Sequence, residues 1–108
     1  MRYVMFVIDD STEFANTDEM AAIDAFNDQM RADGHFVYAT GMNAPSSAKL
    51  IDNRAGRGSI IDQSLYQSKE HYSGFWIIDV PTKERAMALA LAGSQACNRK
   101  VELRRLNE

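Results

Sequence analysis

The chain has 108 residues, enough for one domain, with 45% hydrophobic and 25% charged residues and a net charge of −3. That balance lacks the basic stripe of a nucleic-acid binder, and no segment approaches the roughly 18 apolar residues that mark a membrane-spanning helix. Cys97 is the only cysteine, which excludes an internal disulfide and makes a reducing, cytoplasmic setting the expectation.

The opening MRYVMFVIDD has a short apolar run but neither the longer apolar region nor the small-residue cleavage site of a secretory signal. Residues 3–8 are rich in β-formers and read as a buried strand. Asp9, Asp10, Ser11 and Thr12 then break it. Thr17 reads as the N-cap of a helix, with Asp18 and Glu19 in a first turn that favours negative charge. Glu19 falls two residues past that cap, one short of a capping box. Met20, Ile23, Phe26 and Met30, with Ala22, recur at helical spacing and make one apolar face. Gly34 is the stop signal.

Phe36, Val37 and Tyr38 begin a second strand that runs to Thr40. The GMNAPSS segment is a loop punctuated by Pro45. Residues 49–53 and 59–62 read as two short strands joined by a glycine-bearing turn, RAGRG. Residues 63–72 read as irregular or as one helical turn. Residues 74–80 are the strongest strand, apolar in succession from Phe75 to Ile78, so both of its faces should be covered. Pro81 stops it, and Thr82 caps a second helix whose sheet-facing stripe is Ala86, Leu89, Ala90 and Gly93. Residues 100–106 alternate, Val101 and Leu103 inward, Glu102 and Arg104 outward.

With the small hairpin set aside, the order is βαββαβ. This is the ferredoxin-like α+β arrangement, an antiparallel sheet with both helices on one face. The other sheet face has no third helix to cover it. A domain this small leaves about a third of its unfolded surface exposed. The expectation is therefore a homodimer, two sheets meeting face to face as a dimeric α+β barrel. The basic residues Arg99, Lys100, Arg104 and Arg105, interrupted by Glu102 and Glu108, read as a solvated strand edge rather than a phosphate groove. The methionines Met5, Met20, Met30, Met42 and Met87 read as core filler.

The motifs resemble those of the YCII-related domain family, in particular its DGPF branch. Met1-Arg2-Tyr3-Val4 resembles the branch's opening strand, and EMAAIDAFNDQMRADG its first helix. Asp62-Gln63-Ser64-Leu65-Tyr66-Gln67-Ser68-Lys69-Glu70 occupies the place of its D-G-P-F-x-E-x-K-E motif. Ser73-Gly74-Phe75-Trp76-Ile77-Ile78-Asp79-Val80 and VELRRL resemble its last two strands. The resemblance spans nearly the whole chain. Gln63, Ser64 and Leu65 replace the Gly, Pro and Phe of the motif, and Gln67 replaces its first Glu, so the turn differs and one pocket acid is missing. The wider family's His and Asp pair, proposed as catalytic, finds no residue-by-residue match here.

The surviving Asp62, Lys69 and Glu70 define one candidate site. Lys69 would hold an anionic substrate oxygen, and Asp62 or Glu70 would act as acid or base. The alternative is structural, with Asp62 capping a turn and Lys69 paired to a carboxylate. His71, beside Glu70 and Tyr72, is the stronger of two imidazole candidates for proton transfer. His35 follows the helix-ending glycine, where a ring meets the helix C-terminus. Tyr3, Tyr38 and Trp76 are candidate ligand-binding aromatics, and Cys97 has no activating neighbour in sequence. No cofactor motif or metal-ligand spacing is present.

Two functions follow. The first is a small-molecule-binding or regulatory dimer without catalysis. The second, implied by the resemblance and its superfamily, is a cofactor-independent lyase or dehydrochlorinase-like enzyme acting on a small compound, aromatic or not, with Asp62, Lys69 and His71 in the pocket.

Overall fold

A computed structural model describes residues 1–10 and 15–108. Four strands, β1 (Arg2–Asp9), β2 (Phe36–Gly41), β5 (His71–Asp79) and β6 (Lys100–Arg105), form one antiparallel sheet in the order β2-β5-β1-β6. Between β2 and β5, β3 (Leu50–Asp52) and β4 (Ser59–Ile61) pair only with each other. The helices α1 (Thr17–Ala32) and α2 (Lys83–Cys97) both pack on one face of the large sheet, so the ferredoxin-like α+β expectation holds. Ser11 and Thr12, expected to break the first strand, lie outside the described residues; the strand itself continues through Asp9.

The core follows from the period-two alternation of the central strands. Tyr3 and Met5 of β1, and Trp76 and Ile78 of β5, point toward the helices and are buried. Each such side chain contributes about 1.5–3 kcal/mol by leaving water. Met30 of α1 and Ala86 of α2 close over them, with Ile23, Phe26, Leu89 and Ala90 packed alongside. Phe26 meets Trp76 edge-to-face, with ring centroids 5.4 Å apart. Val101 and Leu103 of β6 point inward as the alternation predicts.

Three sequence readings are corrected. Asn16, not Thr17, is the N-cap of α1: its side chain accepts from the Glu19 amide at 2.8 Å, and the Glu19 carboxylate accepts from the Asn16 amide at 3.5 Å. Counted from Asn16, Glu19 stands three residues on, so the capping box that seemed one residue short is present. Replacing Asn16 by alanine is expected to cost about 1 kcal/mol. A thermal melt should register it as a fall of about 4–8 °C. Next, β5 begins at His71, not Gly74, so the supposed irregular segment contributes a strand start. Finally, only Met5 and Met30 are core methionines; Met20, Met42 and Met87 are substantially exposed. Gly34 follows the Asp33 cap of α1 with φ +75, in the role expected of a helix-ending glycine.

The large sheet has a second, helix-free face. The register places Val4 opposite Ile77, Phe6 opposite Phe75 and Ile8 opposite Tyr72 there. Phe6 stacks on Tyr72 with centroids 4.3 Å apart, and Tyr38 lies against Phe75 at 6.2 Å. At the margin, the Tyr72 hydroxyl donates to Glu102 at 2.9 Å, and Arg104 binds both groups. The Tyr72 contact holds the Glu102 carboxyl below the usual glutamate range, against the opposing effect of burial, and Arg104 adds to it.

A cleft between the first helix and the sheet

Strands β1 and β5 pair regularly from Arg2↔Asp79 to Val7↔Gly74; the register then slips by one residue, and Ile8 faces Tyr72. This β-bulge leaves Ser73 without a partner on β1, while its carbonyl accepts from the Met42 amide at 2.9 Å. Because side chains alternate, one extra residue decides which face everything beyond it takes. The slip sends Tyr72 to the open face beside Ile8. It returns His71 to the helix side, directly across from Asp9. Gly74 permits the local geometry: a Cβ there would lie 2.8 Å from the Thr40 carbonyl oxygen on β2.

On that helix side, α1 and the β2–β5 edge of the sheet enclose a cleft of about 500 Å³, a size suited to a small organic ligand. Trp76 and Ala39 line it from the sheet, Met20 and Ile23 from α1, and Met42 from the loop after β2. The Trp76 indole N–H donates to Asn27 Oδ1 at 2.7 Å, which fixes both side chains at the cleft wall. Among the described residues, Asp9, Asp24, His71 and Arg99 are the charged or titratable groups at its surface, apart from the Cys97 thiol.

Arg99 follows the left-handed cap residue Asn98 at the end of α2 and reaches under the cleft. Its Nε donates to Asp9 at 2.8 Å, and Nη1 donates to Glu19 and to the Cys97 carbonyl, each at 2.7 Å. The side chains of Arg99, Asp9 and Glu19 are 16%, 10% and 19% exposed, so this is a largely buried cluster. Burial works to lower the Arg99 pKa, but the two carboxylates outweigh it and leave the guanidinium more firmly protonated than usual. Glu19 thus both caps α1 and ties its first turn to the end of α2.

The His71 Nδ1 lies 3.2 Å from the Lys69 carbonyl. A carbonyl only accepts, so Nδ1 carries a proton, and in the neutral form of the ring the lone pair is on Nε2. His35 is bound similarly, Nδ1 to the Asp79 carbonyl at 3.1 Å, but its Nε2 accepts from Arg85 at 3.4 Å. His35 therefore ties β2, β5 and α2 together. Burial raises the Cys97 thiol pKa, which keeps it protonated and unreactive at neutral pH.

A family model described as YCII-related domain matches residues 1–106. The chain belongs to the YCII-related domain family. No curated protein matches it. Within this YCII-related fold the sequence-expected site residues disperse. Asp62 pairs with Lys49 at 2.6 Å on the exposed hairpin, away from the cleft. Glu70 pairs with Lys100 at 2.5 Å, close to Asp9 and Arg99 but outside the cleft lining. Lys69 is exposed and lends only its carbonyl to His71. Tyr3 is a core residue, and Tyr38 lies on the open sheet face. Of the expected set, His71 and Trp76 alone line the cleft.

The residues that join them were not singled out in the sequence. Asp9 was read as a strand breaker, yet it continues the inward series Tyr3, Met5, Val7 at period two, a signal present in the sequence. Arg99 was read as part of a solvated edge, and its burial against Asp9 and Glu19 corrects that reading. Asp24 and Asn27 carry no local signal; they become neighbours of the cleft only because the α1 face beside Ile23 overhangs the sheet edge. Among the described residues no cluster of His, Cys, Asp or Glu could hold a metal ion, and no helix is long and apolar enough to cross a membrane.

Proposed function

We propose that this protein binds a small, mainly apolar molecule in the cleft between α1 and the sheet, and that it works as a homodimer of the DGPF branch, built as a dimeric α+β barrel in a reducing cytoplasmic compartment. The cleft is the observation that carries the binding reading: about 500 Å³, its surface mostly apolar, with Trp76, Met20, Ile23 and Met42 in its wall. Met20 and Met42 are 49% and 43% exposed, apolar side chains that a ligand would cover. Catalysis is not required by this arrangement, since the proposed acid, base and anion-holding groups Asp62, Glu70 and Lys69 all stand outside the cleft.

The lyase reading keeps one specific support. The bulge turns His71 inward with Nε2 as a hydrogen-bond acceptor, the form a general base needs. The dimer reading is supported by the sheet face opposite the two helices, where the half-buried Phe6, Ile8, Phe75 and Ile77 and the more exposed Tyr38 and Tyr72 lie together.

Trp76 is the only tryptophan, so the protein carries its own reporter. In a screen of small aromatic and alicyclic compounds, a binder should change Trp76 fluorescence and shift the amide resonances of Ala39, Gly41 and Asn27 but not those of the β3–β4 hairpin. If no compound in the screen moves those resonances in the folded protein, the binding reading fails.

A further inference from the structure

Resting on the binding reading, the electrostatics of the cleft identify the class of ligand. We infer that the cleft selects a small apolar body carrying a cationic, hydrogen-bond-donating head, a protonated amine, and disfavours carboxylates. The sequence led to the opposite expectation, an anionic oxygen held by Lys69; that lysine is outside the cleft.

Among the described residues, Arg99 is the single cation at the cleft surface, and it is already bound to two carboxylates and a carbonyl. Those carboxylates, Asp9 and Glu19, more than match its charge. An entering anion would meet a guanidinium with no surplus positive field and two carboxylates behind it. Asp24 adds a further negative charge. It lines the cleft from α1, one residue beyond Ile23, and its carboxylate has no hydrogen bond or ion pair among the described residues. His71 supplies a second acceptor in its neutral form, with Nδ1–H on the Lys69 carbonyl and the lone pair on Nε2. The Asn27 carbonyl oxygen already receives the Trp76 N–H.

The Asn27 amide nitrogen can donate, and Asn43 and Ser73 can donate as well as accept, so formal charge decides: the carboxylates of Asp9, Glu19 and Asp24 stand against one guanidinium, beside an apolar wall of Trp76, Ile23 and the two half-exposed methionines. A donor head satisfies both acceptors, and an ammonium also compensates Asp24. A carboxylate head gains no cation that is not already matched and adds repulsion with Asp24.

The test uses benzylamine, benzyl alcohol and benzoate, matched in body and different in head, titrated into the full chain with Trp76 fluorescence and the cleft amide resonances as readouts. At low ionic strength benzylamine should bind about tenfold more tightly than benzoate, because the solvent-exposed Asp24 attracts one head and repels the other, with the alcohol between them. In Asp24→Asn, an exposed helix position whose change leaves the core intact, the advantage of the amine over the alcohol should shrink several-fold. Equal or tighter binding of benzoate overturns the inference and leaves the binding reading standing, because the cleft would still be occupied. An amine preference unchanged in Asp24→Asn overturns it too, as does silence from all three probes. The binding reading itself falls only if the wider screen is also silent.

Discussion

Replacing Ile77 by glutamate is expected to split the protein into monomers. Ile77 sits on the helix-free face in the interior strand β5, between Val4 of β1 and Tyr38 of β2. In an isolated chain this position faces water, and a glutamate there would cost little beyond a loss of β propensity, within about 1 kcal/mol. In a dimer whose sheets meet on this face, each partner would bury a carboxylate without a counter-charge, at several kcal/mol per ion. The dissociation constant should then rise by at least about a hundredfold, the equivalent of about 2.7 kcal/mol. Sedimentation equilibrium over a dilution series measures it, with Ile77→Val as the control that keeps the apolar surface. A wild-type chain that sediments as a monomer at every concentration and melts at the same temperature throughout would remove the dimer from the proposal.

The second large effect is expected from Arg99→Met. The methionine keeps much of the apolar stem but leaves Asp9 and Glu19 facing each other without a cation in a site where neither is more than 19% exposed. Removing one partner of a fully buried pair costs about 3–5 kcal/mol, and the residual exposure here trims this to roughly 2–4 kcal/mol. Against a total stability of about 5–15 kcal/mol that is a severe loss. Chemical denaturation should show a lower midpoint with an unchanged slope. Arg99→Lys should fall between, because one ammonium cannot reproduce the separate Nε and Nη1 contacts to two carboxylates. Adding Asp9→Asn to Arg99→Met should recover part of the loss by removing one uncompensated charge, a coupling a double-mutant cycle reads directly. If Arg99→Met is within about 0.5 kcal/mol of wild type, as for an ordinary surface position, the cluster does not hold α1 and α2 together.

The two predictions concern opposite faces of one sheet, and the sequence prepared for them unequally. The open face was legible. The unbroken apolar run Phe75 to Ile78, paired with a strand as apolar as residues 3–8, gives a sheet too hydrophobic on both sides for a chain with only two amphipathic helices. The cleft face was not. Its site was sought in the Asp62 to His71 stretch because those residues are adjacent in sequence. The structure spreads them along an exposed hairpin, a loop and a strand end, where Asp62 and Glu70 find lysine partners and only His71 turns inward.

What the residue order determined by itself is whatever depends on neighbours a few positions apart. The strand and helix order is of this kind, as are the Thr82 cap, the Gly34 stop, the short hairpin around RAGRG and the inward choice of Val101 and Leu103. Each rests on local hydrogen bonds or a short period, and each is present in the structure. What only the tertiary structure decided depends on register between strands distant in the chain. A one-residue slip at Ser73 changes no local preference, yet it exchanges the faces of Tyr72 and His71 and so sets a histidine across from Asp9. Arg99 likewise has nothing in its own neighbourhood to distinguish it from Arg104 or Arg105. It acquires a role only when the ends of α1, α2 and β1 converge, because burial turns an ordinary charge into one that must be matched.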